Sequence, residues 1–385
     1  MPTVEGHCDE RFEEVKDLLQ KYVNSSDEVG ASIAVNLDGK DVVDIWGGYY
    51  GQDGSKQAWG KDTITNIFST TKTVVAYVIL LLADRGQLSV YDKISKHWPE
   101  FAVNGKQDIE IRHVLSHTSG VAGFETPLKV EDICDSPKVT ALLAEQAPWW
   151  EPGTASGYHS FTQGYLLAEI VRRVTGKSLK QFIAEDIAAP LGADFQLGCL
   201  EKDEARRSDV IPPPTPYPQN LEMTEIRKRV MMNPGMRATF ANSEAFRNAE
   251  IGAGNGHSNA RGVTRILSVI SLGGKVNGKQ FLSPETVELI FQEQSKGLDH
   301  VIETGGKPLR LGVGFGLTGK GTFIDWLPEG KVATWGGYGG SVTVADVDRR
   351  LTFTYVMNKM ENVGLGSGKA REYIAAVYKV LGIEI

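Results

Sequence analysis

The sequence predicts an α/β protein: an antiparallel sheet built from both chain ends and flanked by helices, with a mainly helical region inserted between them. Two observations carry this. Alternating, β-branched segments are confined to residues 30–46 and to the stretch after Gly312, while the chain between them is dominated by helical apolar spacing. The dipeptide Asp38-Gly39, placed between two such strands, is a strong hairpin signal. Divided on this pattern, residues 1–68 and 273–385 form the sheet domain, and residues 69–272 form a helical domain carrying the active-site loops.

Taken in order, Phe12, Val15, Leu18 and Leu19 give a helix over about Glu10–Tyr22. The hairpin strands follow at Gly30–Asn36 and Asp41–Trp46. Helices are predicted for Thr70–Arg85 closed by Gly86, Ile111–Leu115, Lys138–Glu145, Thr162–Val174 closed by Gly176, and Gly262–Leu272. The proline run Ile211–Pro218 reads as an extended surface segment. Lys331–Trp335, Ser341–Ala345 and Leu351–Met357 are the returning strands, and Ala370–Leu381 is a final helix.

A chain of 385 residues with a net charge of -7 can bury a large core and offers nothing to nucleic acid or an anionic membrane. Three scattered cysteines, Cys8, Cys134 and Cys199, make neither a disulfide framework nor a zinc site. No secretory signal is visible at the N-terminus, and the apolar run Val74–Ala83 is half of what a membrane span needs. The expected location is the cytoplasm.

The chemistry concentrates at Ser69 and Lys72, in Phe68-Ser69-Thr70-Thr71-Lys72. A serine hydroxyl needs an adjacent base to become a nucleophile, and a lysine whose pKa is lowered by burial can serve. Three residues apart at a helix start, the two lie on one face beside backbone N–H groups. The pattern occurs once in the chain; its plain reading is a capping serine followed by a solvated lysine. Tyr158, in the Gly/Ser-rich loop Pro152–Ser160, is the candidate to pass the proton on, because a phenol both donates and accepts.

The ordered set Ser69-Thr70-Thr71-Lys72, Arg112–Gly120, Glu151-Pro152-Gly153, Tyr158-His159-Ser160, Pro190-Leu191-Gly192 and Trp335-Gly336-Gly337 resembles the serine hydrolases that share the class C β-lactamase and DD-peptidase fold. Within that group it is most similar to family VIII carboxylesterases and fungal polyketide acyltransferases. The resemblance implies that Ser69 is acylated, that Lys72 is its base, and that Tyr158 relays protons in acylation and deacylation. It implies an oxyanion hole from the backbone N–H groups of Ser69 and Tyr338. Ser160, Trp335, Gly336 and Gly337 would contact substrate.

Two departures narrow the expected substrate. Trp335 stands where the β-lactamases and peptidases carry a lysine for the substrate carboxylate, and Ser160 where they carry an asparagine for its amide. Both point to a neutral ester or thioester, hydrolysed without cofactor or metal. Transfer to an alcohol acceptor is the alternative, with β-lactamase or peptidase activity and a non-catalytic scaffold behind it. Trp149, Trp150, Phe161, Phe240, Trp335 and Tyr338 are candidates for an apolar acyl pocket, of which Trp335 and Tyr338 are favoured. The Pro-, Met- and Gly-rich stretch Ile211–Asn255 is expected to form a wall or lid. His113 and His117 have helical metal-pair spacing but lack the glutamate of a metalloprotease, and they are set aside as structural.

Overall fold

A computed structural model describes residues 3–51, 56–213 and 223–385. The chain opens with an edge strand β1 (Glu5–Cys8), helix α1 (Glu13–Ser25), and strands β2 (Gly30–Leu37) and β3 (Lys40–Tyr50). At the predicted turn Asp38 and Gly39 both have positive φ, 49° and 82°, the mirror-image turn whose twist matches antiparallel strands. Strand β4 (Ile64–Asn66) leads into a short turn at Phe68–Thr70 and then into α2 (Thr71–Asp84), α3 (Ile111–Leu115), α4 (Ser136–Glu145) and α5 (Thr162–Thr175). Strands β5 (Phe195–Leu197) and β6 (Arg207–Ser208), helix α6 (Glu225–Met232), strand β7 (Gly256–Ser258) and helix α7 (Ala260–Ser271) complete the insertion. The chain then returns through β8 (Ser295–Gly297), β9 (Leu309–Leu311), β10 (Gly316–Leu317), β11 (Val332–Gly336), β12 (Val342–Asp346) and β13 (Leu351–Met357), and ends in α8 (Gly368–Val380).

The large sheet runs β1-β3-β2-β13-β12-β11-β10-β9-β8, antiparallel throughout. The strands from the two parts of the chain flanking the insertion meet at the pairing of β2 with β13, in register Ile33 to Tyr355. Side chains alternate across a strand, and the two faces are covered differently. On one face Ala260 N–H donates to Ser32 Oγ (3.1 Å) and Ser271 Oγ meets Thr352 Oγ1 (2.7 Å), which seats α7 across β2 and β13. On the other, the Tyr373 ring of α8 packs 5.3 Å from Tyr355 and edge-on to Tyr22 of α1 at 5.9 Å. Helix α7, which the sequence pattern groups with the insertion, thus packs on the sheet.

Strands β4 to β7 form a second, four-stranded sheet absent from the sequence reading. Each of its strands has two or three residues, too short for an alternation signal. The same brevity hid β8, β9 and β10. Ile211 pairs with Lys359 as an isolated bridge, Pro212 and Pro213 follow it, and the remainder of the predicted extended run, residues 214–218, lies outside the described residues.

Helix α2 is the axis of the insertion. Every side chain from Thr71 to Leu82 is buried, so this helix carries no solvent face. It packs so closely on the loop before β10 that a Cβ on Gly314, at φ 84°, would lie 2.4 Å from Ala76 Cβ. Backbone freedom and close approach both demand glycine there. Gly314→Ala should lower unfolding stability by about 1–3 kcal/mol. Ala76→Gly should recover part of that loss, as measured by urea denaturation of the single and double variants.

Candidate active site

Ser69 occupies the tight turn just ahead of α2 rather than the helix proper. The preceding Phe68 is held at φ 43°, a left-handed conformation that costs a bulky residue energy. Buried Asn66 fixes it: Oδ1 accepts the Phe68 N–H at 3.1 Å while Nδ2 donates to the Gly254 carbonyl at 3.0 Å. The turn is stapled from the other side by Thr70 Oγ1 to Ser341 Oγ (2.9 Å) and Ser341 Oγ to the Ile67 carbonyl (3.1 Å). Ser69 is thereby presented on a strained turn whose first N–H groups are not consumed by the helix.

Lys72 reaches back as the spacing predicts, with Nζ 3.2 Å from Ser69 Oγ. Its other two partners are the carbonyls of Ser160 and Ala253, both at 2.8 Å. Among the described residues no carboxylate accompanies it, and burial alone pushes its pKa well below the usual lysine range. Carbonyls only accept. A neutral amine spends its two N–H bonds on them, which leaves the lone pair facing Ser69 Oγ.

Tyr158 Oη lies 2.6 Å from the same Oγ, so Ser69 is bracketed by Lys72 and Tyr158. Burial raises the Tyr158 pKa to about 12, against the opposing influence of the Ser69 hydroxyl and the neighbouring Trp335 indole. As a phenol, Tyr158 donates to Ser69 Oγ, the same oxygen that faces Lys72 Nζ; once the amine is neutral, the Ser69 hydroxyl can in turn donate to it.

Trp335 is buried beside this set, its ring 5.7 Å from Tyr158, and its indole N–H completes no hydrogen bond within the described residues. Tyr338 flanks Ser69 through an edge-on contact of its ring with Phe68 at 5.7 Å. Gly336 and Gly337 have a packing reason of their own. A Cβ on Gly337 would fall 2.3 Å from the Ile67 carbonyl, and one on Gly336 would fall 2.8 Å from the Ser341 carbonyl. Ser160 enters the site through its backbone oxygen, which holds Lys72; its side chain is half-buried.

Other pocket candidates are redistributed. Trp149 and Trp150 cover Gly123 and Gly157, at Cβ distances of 2.8 and 2.5 Å, while Phe240 packs on Phe246. Phe161 is packed against the main core. A space beside Lys72, too narrow to admit a water molecule, is lined by Leu115, His117, Leu311, Gly314, Phe315 and Trp335. Of the stretch Ile211–Asn255, residues 214–222 lie outside the described residues. Helix α6 packs through Val230 against Ala122 and Val301 beside the Tyr158 loop, and Ala253 is part of the site floor.

Sequence reasoning missed Asp299 and undervalued His117. Asp299 Oδ1 accepts the N–H groups of Tyr158 (3.0 Å), Val301 and Ile302 (both 2.8 Å). No motif announces it. The two histidines with metal-pair spacing point to different partners: His113 Nδ1 accepts the Glu110 N–H at 3.1 Å, and His117 Nδ1 the His159 N–H at 3.1 Å. Among the described residues no group of three ligating side chains could hold a metal ion, and no helix is long and apolar enough to cross a membrane.

Against known proteins, the beta-lactamase family model matches residues 15–378. The esterase/beta-lactamase LipL of Mycobacterium tuberculosis is 32% identical over 326 residues, 79% of this chain and 75% of LipL. The crystal structure of a family VIII carboxylesterase superposes with TM-score 0.90 at 33% identity, covering 98% of this chain and 99% of that one. A penicillin-binding protein homologue from Caulobacter crescentus gives TM-score 0.89 at 32% identity, over 98% and 99% of the two chains.

The buried amine has a consequence for stability. Lys72 binds its proton less well folded than unfolded, so its penalty is full at low pH, shrinks as pH climbs above the folded value, and vanishes above about 10.4. The stability of the wild type relative to Lys72→Met should therefore rise with pH across that window. Parallel curves from chemical denaturation at several pH values would contradict this.

Proposed function

The chain belongs to the beta-lactamase family and is a serine hydrolase of carboxylesterase type; from that premise we propose that Ser69, Lys72 and Tyr158 cleave a neutral carboxylic ester or thioester through an acyl-Ser69 intermediate. The observation that carries this reading is Ser69 Oγ held within hydrogen-bond distance of both Tyr158 Oη and the Nζ of a buried Lys72, for which the described residues supply no carboxylate.

In acylation, Ser69 Oγ attacks the ester carbonyl as its proton passes to Lys72 Nζ. The tetrahedral oxyanion is received by the backbone N–H groups of Ser69 and Tyr338; losing one such donor typically costs on the order of a hundredfold to a thousandfold in rate. As the intermediate collapses, Tyr158 gives its proton to the leaving oxygen and the Lys72 ammonium replaces it. Deacylation runs the route in reverse, the proton of an incoming water travelling through Tyr158 to Lys72. An alcohol in place of that water would make the same enzyme an acyltransferase.

The preference for neutral substrate is supported by Trp335, which stands where the β-lactamases and peptidases carry a lysine. Beside it His117, whose ring lies 5.8 Å from the Trp335 ring, is held by burial well below the usual histidine range and supplies no cation either. A carboxylate on the acyl group would lose a charge-assisted bond worth about 1.5–3 kcal/mol.

Brief mixing with p-nitrophenyl butyrate should add one acyl mass to the wild type and none to Ser69→Ala, with a burst of nitrophenol only from the former. A mass adduct on both, or on neither with equal slow release, rejects the mechanism. The hemisuccinate ester should show kcat/KM lower by at least about tenfold than the butyrate, by the loss just given. The pH dependence of kcat/KM should rise once, through the lowered Lys72 ionisation, and hold level until Tyr158 begins to ionise near about 12. Added alcohol that diverts product from acid to ester would mark the transferase.

A further inference from the structure

The segment before α5 is laid against the segment after α3 in reverse chain order. Trp149 N–H donates to Gly120 O at 2.8 Å, Gly153 N–H to Thr118 O at 2.8 Å, and Gly157 N–H to His117 O at 3.0 Å. His117 then takes a second bond from the same passing chain, its Nδ1 accepting the His159 N–H at 3.1 Å. The amides on both sides of Tyr158 thus end on one residue, while the Tyr158 amide itself goes to Asp299 Oδ1. The His117 ring also packs edge-on against the phenol at 4.9 Å.

His117 has φ 59°, a left-handed turn that lets one residue offer both its carbonyl oxygen and its ring nitrogen to the strand beside it. Because Nδ1 accepts, the ring proton sits on Nε2. His159 is fixed in the opposite tautomer: its Nδ1 donates to the Gly157 carbonyl at 2.6 Å, so its Nε2 accepts from Ser119 Oγ at 2.7 Å. Three of the four ring nitrogens, His117 Nδ1 and both of His159, thus have a defined role in holding the loop.

We infer that His117 is a positioning residue for Tyr158, clamping the amides on either side of it so that the phenol oxygen is held at hydrogen-bond distance from Ser69. The inference rests on the proposed role of Tyr158 as proton relay. His117 touches no reacting atom; it acts through the tyrosine. Loosening the clamp should displace the phenol by a fraction of its hydrogen-bond length, and misplacement of about 1 Å can cost about a hundredfold in rate.

The test compares two substitutions that both tolerate positive φ and differ in the acceptor. His117→Gly removes ring and acceptor; His117→Asn puts Oδ1 near the position of Nδ1. For p-nitrophenyl butyrate, His117→Gly should lower kcat about 30–100-fold with KM changed less than about threefold, and His117→Asn should recover at least about a tenfold part of it. In a Tyr158→Phe background, where there is no phenol to position, His117→Gly should cost less than about threefold more. A loss of equal size in that background, or an asparagine no better than glycine in folded protein, overturns the inference. If His117→Gly does not fold, as judged by thermal melting, His117→Asn decides alone: turnover within about tenfold of wild type supports the clamp, and a larger loss overturns it. Should Ser69→Ala match the wild type, the functional reading itself falls and the clamp with it, a result distinct from the additive one.

Discussion

Everything in this site follows from an amine placed where water does not reach it. Lys72 is surrounded by two peptide carbonyls, one hydroxyl and apolar or neutral side chains. A charged ammonium there has only carbonyl dipoles and the Tyr158 ring, 4.8 Å from Nζ, to compensate it, so burial drives the amine's pKa well down. The carbonyls matter as much as the burial. They occupy the amine's protons and aim its lone pair, and they come from Ser160 and Ala253, residues on opposite flanks of the insertion. The loop of Tyr158 and the turn ahead of β7 must therefore both be in place before Lys72 can be a base.

A fully buried helix is the second requirement. With no polar face to lose, α2 is fixed by contacts on all sides, including Gly314 against Ala76. The strained turn at Phe68 is tolerable only because Asn66, Thr70 and Ser341 over-determine it. Strain at the serine is offset by rigidity around it.

The fold class was legible in the sequence because its signals are long: the β2–β3 hairpin, strand β13 and the helices α2 and α5 each extend over enough residues for a period to show. The second sheet and the strands β8 to β10 were not, because two or three residues have no period. At the site, Ser69 and Lys72 are local in sequence and stand out, and Tyr158 follows from its loop chemistry. Asp299 is a lone acid whose role is three backbone N–H groups, a property of folded geometry with no sequence pattern. His117 looked structural, and it is; its bonds to the chain on either side of Tyr158 exist only when two segments some forty residues apart are laid together. Gly336 and Gly337 carry a similar lesson, since close backbone approach explains them before any substrate does.

In the large sheet β2 pairs with β13, two strands separated in sequence by the whole insertion. During synthesis the hairpin Gly30–Tyr50 emerges with the open edge of β2 uncovered, and its proper neighbour is not made until roughly three hundred residues later. Loop closure over that span is slow, and an unpaired strand edge recruits other chains. The edge of β2 therefore stays open while the whole insertion is made, and anything that shields it in that interval favours the native pairing over association between chains.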